Sequence, residues 1–129
     1  TYLPQNYVPN TVVYTGTHDN NTTRGWYEEL SSDQQDIVRR YLHRPDLENN
    51  EACLALIHLA WSSVAALAVV PFQDLLNLTS DARMNIPGLA EGNWRWRCTD
   101  EMLKSPAFQW LFELTTMFNR APVPEQGRQ

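Results

Sequence analysis

The sequence at residues 11–23 is Thr-Val-Val-Tyr-Thr-Gly-Thr-His-Asp-Asn-Asn-Thr-Thr, an apolar run that ends in a dense group of polar side chains. Residues 11–15 are β-branched or aromatic apart from their polar groups, and apolar side chains fall on both faces, which predicts a buried strand. The polar loop places His18, a donor and acceptor, beside Asp19, a negative charge. From the residues alone, an Asx-rich turn that caps the next helix explains this loop slightly better than a functional site.

A second strand is predicted at residues 67–70, Leu-Ala-Val-Val, which is again apolar on both faces. Helices are predicted between the two strands. Ser32 and Gln35 have the spacing of a capping box, which predicts a helix of about ten residues. Apolar residues at helical spacing predict a longer, heavily buried helix near residues 51–65. After the second strand, Ser105-Pro106 predicts the start of a last helix that extends to about residue 119.

The order strand, helices, strand, helices predicts an α/β fold. Two buried strands joined by a long helical crossover pair in parallel, so residues 11–15 and 67–70 are expected to be neighbours. Because α/β folds place their sites at the carboxyl ends of such strands, Asp19 and Asp74 are expected at the same end of the sheet. Two strands cannot close a sheet, and a (β/α)8 barrel needs roughly 250 residues. The chain is therefore expected to be the last quarter of a barrel, with residues 121–129 as a flexible tail.

The charge and hydropathy pattern narrows the classes of partner. The formal net charge is -5, and no basic run is longer than the pair at residues 39–40, so the positive stripe needed by a phosphate backbone is missing. The longest apolar stretch, residues 54–70, is too polar and too short for a membrane span. The first residues lack the features of a secretory signal, which favours a cytoplasmic or plastid protein. A neutral sugar substrate suits this charge balance.

No metal or cofactor is expected from the sequence. Cys53 and Cys98 match no metal or redox spacing, and a reduced pair is a better expectation than a disulfide. His43 and His58 lack partner ligands at metal spacing. Arg83 is a candidate to form an ion pair with Asp74 or Asp81.

The segment Trp-Arg-Trp-Arg at residues 94–97 has two interpretations. Interleaved aromatic and basic side chains can stack on the bases of single-stranded nucleic acid. They can also form a cation–π ladder that packs within the protein. Because the chain is acidic, packing is the favoured interpretation.

Several motifs resemble those of the 4-α-glucanotransferases of glycoside hydrolase family 77. Tyr-Thr-Gly-Thr-His-Asp-Asn at residues 14–20 with Thr-Thr-x-Gly-Trp at 22–26 is similar to the seventh-strand motif of that family. The eighth-strand segment is resembled by Pro-x-Gln-Asp at 71–74, Ala-Arg-Met-Asn at 82–85 and Pro-Gly…Gly-Asn-Trp-x-Trp-Arg at 87–97. The order and spacing agree over nearly the whole chain. One departure is Asn21, where many relatives have Asp.

The resemblance implies that residues 1–129 are the C-terminal portion of the catalytic (β/α)8 barrel domain, mainly helical by content, of an enzyme that transfers α-1,4-glucan segments with retention. It implies that Asp19 is the carboxylate that stabilises the transition state and that His18 binds the same sugar. Asn85 and Pro87 would line the glucan groove. The family's nucleophile and acid/base residue lie on earlier strands, so this chain would need the N-terminal part of the barrel for activity.

Two other functions stay open. An α-amylase-type hydrolase also has a His-Asp pair late in its barrel, although the motifs at residues 83–88 and 93–97 favour the transferase. A non-catalytic glucan-binding module is the alternative outside enzymes. An RNA-binding fragment centred on residues 94–97 is disfavoured by the acidic charge.

Overall fold

A computed structural model describes residues 3–122 of the chain, and residues 123–129 of the predicted tail lie outside the described residues. The strands are β1, Val12–Tyr14, and β2, Leu67–Val69. The α-helices in chain order are α1, Thr23–Glu29; α2, Ser32–Tyr41; α3, Asn49–Trp61; α4, Phe72–Leu75; and α5, Ala107–Met117. Short 3-10 turns occupy Pro4–Asn6, Ser80–Ala82 and Met102–Lys104. The described chain is thus an α/β unit that is mainly helical, as predicted.

β1 and β2 form a two-stranded parallel sheet, in which Val13 lies opposite Ala68. The helix α3 covers one face of this sheet. Its side chains Ile57 and Trp61 are buried in one cluster with Val13, and Leu114 of α5 joins the same cluster. The predicted parallel pairing, and the predicted packing of the crossover helix on both strands, are therefore confirmed.

The prediction that both strands are buried on both faces is wrong for the described chain. Val12, Tyr14 and Leu67 are exposed by 43%, 53% and 55%. Side chains alternate between the faces of a strand, and the helices cover only the face of Val13. The other face of the sheet stays open among residues 3–122, although its composition is that of a buried strand.

The start of α2 differs from the prediction by one residue. Ser31, not Ser32, is the N-cap: its hydroxyl accepts from the backbone N–H of Gln34, and the Gln34 side chain accepts from the backbone N–H of Ser31. Two consecutive serines precede two consecutive glutamines, so both registers satisfy the capping-box spacing. Spacing alone could not distinguish them.

The ends of two other helices also differ from the predicted limits. α3 ends at Trp61 instead of continuing to residue 65. The last helix begins as predicted, since the Ser105 hydroxyl accepts from the backbone N–H of Ala107, but it ends at Met117. These shifts are within the usual uncertainty of helix termini.

The helix α1 was not predicted, because its residues follow directly on the polar loop. Thr22 caps this helix by accepting from the backbone N–H of Gly25 at 3.1 Å. A Cβ atom at Gly25 would collide with the Ser80 hydroxyl and would lie 2.9 Å from Asn21 Oδ1. Glycine is therefore required for α1 to approach the Ser80 turn. On its other side α1 buries Tyr27 completely against the start of α3, which fixes the polar loop beside the sheet.

Candidate functional site

Asp74 lies at the carboxyl end of the sheet, in α4, and is 2% exposed. The hydroxyls of Thr15 and Thr23 donate to its Oδ2 at 2.7 and 2.6 Å. The backbone N–H of Thr23 donates to its Oδ1 at 2.8 Å. Asp74 thus joins the end of β1, the start of α1 and the start of α4. The predicted ion pair of Arg83 with Asp74 or Asp81 is not formed, because the threonines occupy the Asp74 carboxylate and Arg83 turns towards another loop.

Asp19 lies at the same end of the sheet but is half exposed, with a side-chain exposure of 50%. Asn85 Nδ2 donates to Asp19 Oδ1 at 2.7 Å. Arg83 donates from Nη2 to the backbone carbonyl of Asp19 and from Nε to the backbone carbonyl of Asn85, both at 2.8 Å. The guanidinium therefore holds the loop after β1 against the loop after β2, and the planar donor geometry of arginine suits two simultaneous bonds.

His18 completes this pair of loops. Its Nε2 lies 3.3 Å from Asp19 Oδ1, and its side chain is 56% exposed. The centroid of its ring is 5.2 Å from that of Trp94, with an angle of 35° between the planes. Trp94 is itself 53% exposed, so the expectation that residues 94–97 pack inside the protein is wrong for this side chain. The structure thus brings together three of the four predicted site residues, namely His18, Asp19 and Asn85.

Pro87, the fourth predicted site residue, is exposed in the loop that follows Asn85. The side chain of Asn93 closes this loop: it accepts from the backbone N–H of Ile86 at 2.9 Å and donates to the carbonyl of Leu89 at 3.0 Å. Gly88 has a φ of 85°, which glycine adopts without strain. Pro87 is therefore placed on an ordered loop that shares its base, through Asn85, with Asp19.

A cavity of about 170 Å³ lies between the loops after β1 and β2. Its walls include residues from both loops, among them His18, Asn20, Gln73, Asp74, Arg83 and Trp94. The predicted location of the two aspartate loops at one end of the sheet is therefore confirmed. A wider, open depression of about 630 Å³ lies near the start of α3, but its arginines Arg24 and Arg39 are already paired with Glu28 and Asp36. The chemistry is concentrated in the smaller cavity.

Other parts of the described chain offer little chemistry. Within residues 3–122, no group of three or more His, Cys, Asp or Glu side chains is arranged to hold a metal ion. Over the same residues no helix has the length and apolar character needed to cross a membrane. Cys53 and Cys98 are both free thiols. Burial, and next the Asp74 carboxylate, raise the pKa of the Cys53 thiol, whose sulfur donates to the Asp74 carbonyl.

The parallel strands, the crossover helix and the Asp-His-Asn cluster define an α/β protein with its site at the carboxyl edge of the sheet. The sequence profile of the 4-alpha-glucanotransferase family, glycoside hydrolase family 77, matches residues 1–103. The chain belongs to this family.

Individual relatives agree with this assignment. A 4-alpha-glucanotransferase of Synechocystis is 49% identical over 120 residues, which are 92% of this chain and 23% of the relative. A chloroplastic/amyloplastic 4-alpha-glucanotransferase of Solanum tuberosum is 50% identical over 74% of this chain and 16% of its own length. The structure of an amylomaltase from Streptococcus agalactiae in complex with acarbose superposes with a TM-score of 0.83 at 36% identity, over 93% of this chain and 24% of that one. The chain thus spans about a quarter of the length of such relatives or less.

Two features of the site escaped the sequence analysis. The bridge made by Arg83 was not predicted, because the nearest candidates along the chain were the carboxylates of Asp74 and Asp81. The contact of Trp94 with His18 depends on a positive φ of 62° at Trp94, which no residue type in the segment signals. Only Gly92, just before, hinted at an unusual turn in this loop.

Proposed function

We propose that this chain supplies the last two strands of the (β/α)8 barrel of a 4-α-glucanotransferase, and that Asp19 and His18 take part in the transfer of α-1,4-glucan segments. The observation that supports this proposal is the half-exposed Asp19 carboxylate, held by Asn85 at the open carboxyl edge of the sheet beside His18. The open apolar face of Val12, Tyr14 and Leu67 is consistent with strands that line the inside of a larger barrel.

The geometry fits a carboxylate that binds sugar rather than one that attacks it. Asn85 and His18 both approach Oδ1 of Asp19, which leaves Oδ2 as the oxygen directed to a substrate hydroxyl. A fixed negative charge at this point also offsets the positive charge of an oxocarbenium-like transition state. His18 is placed to hydrogen-bond the same sugar, and Pro87 would contribute to the wall of the groove. Such bonds accelerate the reaction only to the extent that they tighten in the transition state.

The remaining chemistry is assigned to residues outside this chain. In a retaining transfer, one carboxylate attacks the anomeric carbon while an acid protonates the oxygen of the leaving glucan. The 4-hydroxyl of a second glucan then displaces the enzyme carboxylate and loses its proton to the same acid/base group. Both groups would come from earlier strands of the barrel. The acarbose in the Streptococcus agalactiae amylomaltase agrees with a groove that binds linear glucans. With bacterial and chloroplastic relatives, we assign the protein to the cytoplasm or the plastid.

The test is the action of the complete protein on maltotriose. A transferase produces glucose and longer glucans while the number of reducing ends stays constant, because each bond broken is replaced by a new one. A rise in reducing ends would identify a hydrolase instead, and binding without either product would identify a glucan-binding module.

The isolated chain of residues 1–129 should release no glucose from maltotriose, and its open sheet face and strand edges should promote aggregation. The complete protein, assayed in parallel, is the positive control. Glucose release by the purified 129-residue chain would contradict the assignment of the nucleophile and the acid/base group to other parts of the barrel.

A further inference from the structure

The backbone of Trp94 has an unusual conformation. Its φ of 62° lies in the left-handed region, which glycine and asparagine enter readily but which is rare for a bulky side chain. The N–H of Trp94 donates to the carbonyl of Met84 at 2.7 Å, which holds the residue in this conformation. Strained residues of this kind concentrate at functional sites, where the surrounding structure maintains them. The strain at Trp94 therefore calls for a compensating role.

Burial of the indole does not provide that role, since Trp94 is 53% exposed. What the conformation achieves is the contact with His18, whose ring centroid lies 5.2 Å from the indole. Both rings line the same cavity between the two loops. His18 is itself 56% exposed, and its other neighbour in the site is the Asp19 carboxylate. A half-exposed imidazole with few contacts would otherwise sample several rotamers.

We propose that Trp94 is a positioning residue that acts through His18. The indole restricts the imidazole to the orientation in which its Nε2 faces Asp19, so that both groups meet one sugar in fixed geometry. This inference rests on the proposed function for the role of His18 in transfer, but the restriction of the ring by Trp94 does not depend on the substrate. Displacement of a group that contacts the reacting sugar lowers the rate more than the affinity, because preorganisation matters most in the transition state.

The first experiment compares Trp94→Leu with Trp26→Leu in the complete protein, using maltotriose disproportionation. Trp26 is a matched control: it is 41% exposed, its ring packs on Tyr27 at 6.5 Å, and it does not line the cavity. We expect Trp94→Leu to lower kcat about tenfold, with KM changed less than about twofold, and Trp26→Leu to change neither. A rise in KM without a fall in kcat would show that Trp94 stacks on the glucan, and would overturn the positioning role.

A double-mutant cycle with His18→Ala tests whether Trp94 acts through His18. If it does, adding Trp94→Leu to His18→Ala should cost no further activity, whereas two independent roles give additive losses. Trp94→Phe, which keeps an aromatic face, should recover most of the kcat. Additive losses, or a Trp94→Phe variant as slow as Trp94→Leu, would contradict the proposal.

Two measurements separate this inference from folding and from the proposed function. Trp94→Gly relieves the left-handed strain, so it should melt no lower than Trp94→Leu and yet be as slow. By NMR, the imidazole protons of His18 should lose a ring-current shift in both variants, whatever the substrate proves to be. Unchanged His18 resonances would refute the positioning role, while a complete protein without transferase activity would refute the proposed function alone.

Discussion

Asp19 and Asp74 occupy comparable places, each in the first turn or loop after one of two neighbouring parallel strands, yet their surroundings are opposite. Asp74 is 2% exposed, and three donors from Thr15 and Thr23 surround its carboxylate. Asp19 has 50% of its side chain exposed, and a single amide, that of Asn85, donates to one of its oxygens.

This contrast shows how one edge of a sheet separates structure from chemistry. A carboxylate whose oxygens are already bonded to buried hydroxyls and an N–H has no capacity left for a substrate, so Asp74 serves to join β1, α1 and α4. A carboxylate with one oxygen fixed and the other facing solvent is preorganised and still able to bind. The polar loops of the two strands thus divide into a buried brace and an open site.

The largest expected effect follows from Asp19→Asn in the complete protein. The substitution keeps the shape of the side chain but removes the negative charge that faces the reacting sugar. Loss of one preorganised electrostatic group lowers kcat by about 10² to 10³, and Asp19 also binds hydroxyls, so the loss should reach or exceed the top of that range. KM should change much less, because glucan binding is distributed over many subsites. Steady-state disproportionation of maltotriose measures both constants.

Circular dichroism and the melting temperature of Asp19→Asn provide the control for folding. Since the side chain is half exposed, the variant should unfold at nearly the same temperature as the parent. A folded variant that keeps most of its kcat would show that Asp19 is an ordinary turn residue, and the contrast with Asp74 would then be one of burial only.

Asp74→Ala should have the converse effect on stability. It leaves the hydroxyls of Thr15 and Thr23 and one backbone N–H without their acceptor in a buried place. Removing one partner from buried hydrogen bonds of this kind costs about 3 kcal/mol of the free energy of unfolding. The midpoint of urea denaturation of the complete protein measures this loss.

Asp81→Ala is the matched control for this prediction, because Asp81 is an exposed aspartate in the turn that follows α4. Its substitution should shift the midpoint by less than a fifth as much. If Asp74→Ala proved as stable as Asp81→Ala while losing its kcat, Asp74 would belong to the reactive site and the division between the two aspartates would be wrong.

Much of this fold could be predicted from the sequence, because its signals are local. The β-branched runs at residues 11–15 and 67–70 and the helical spacing between them suffice for a parallel pair with a crossover helix. The burial of those strands could not be predicted correctly. An apolar pattern records what a strand contacts in its complete surroundings, and one face of this sheet has no cover within residues 3–122.

The candidate site was predictable in its residues but not in its connections. His18, Asp19 and Asn85 could be selected because their motifs resemble those of a known family. The arginine bridge and the contact of Trp94 with His18 join residues that are far apart in the chain. They depend on how two loops meet in space, and the left-handed backbone of Trp94 contradicts the ordinary preference of its residue type. Local patterns carry no record of either feature.

The smallest expected effect concerns two asparagines that repeat the contrast of the aspartates. Asn85 donates to Asp19, while Asn93 bonds only to the backbone of its own loop, at Ile86 and Leu89. Asn93→Ala should therefore lower the free energy of unfolding by about 1 kcal/mol, and its kcat should stay within about threefold of the parent. Asn85→Ala, as the paired variant, should lower kcat by at least tenfold with a smaller loss of stability, because it frees the Asp19 carboxylate to rotate. Urea denaturation and maltotriose kinetics on both variants decide the matter. A stable Asn93→Ala enzyme with a kcat as low as that of Asn85→Ala would extend the site along the loop of Pro87, and would show that the boundary between brace and site lies beyond Asn85.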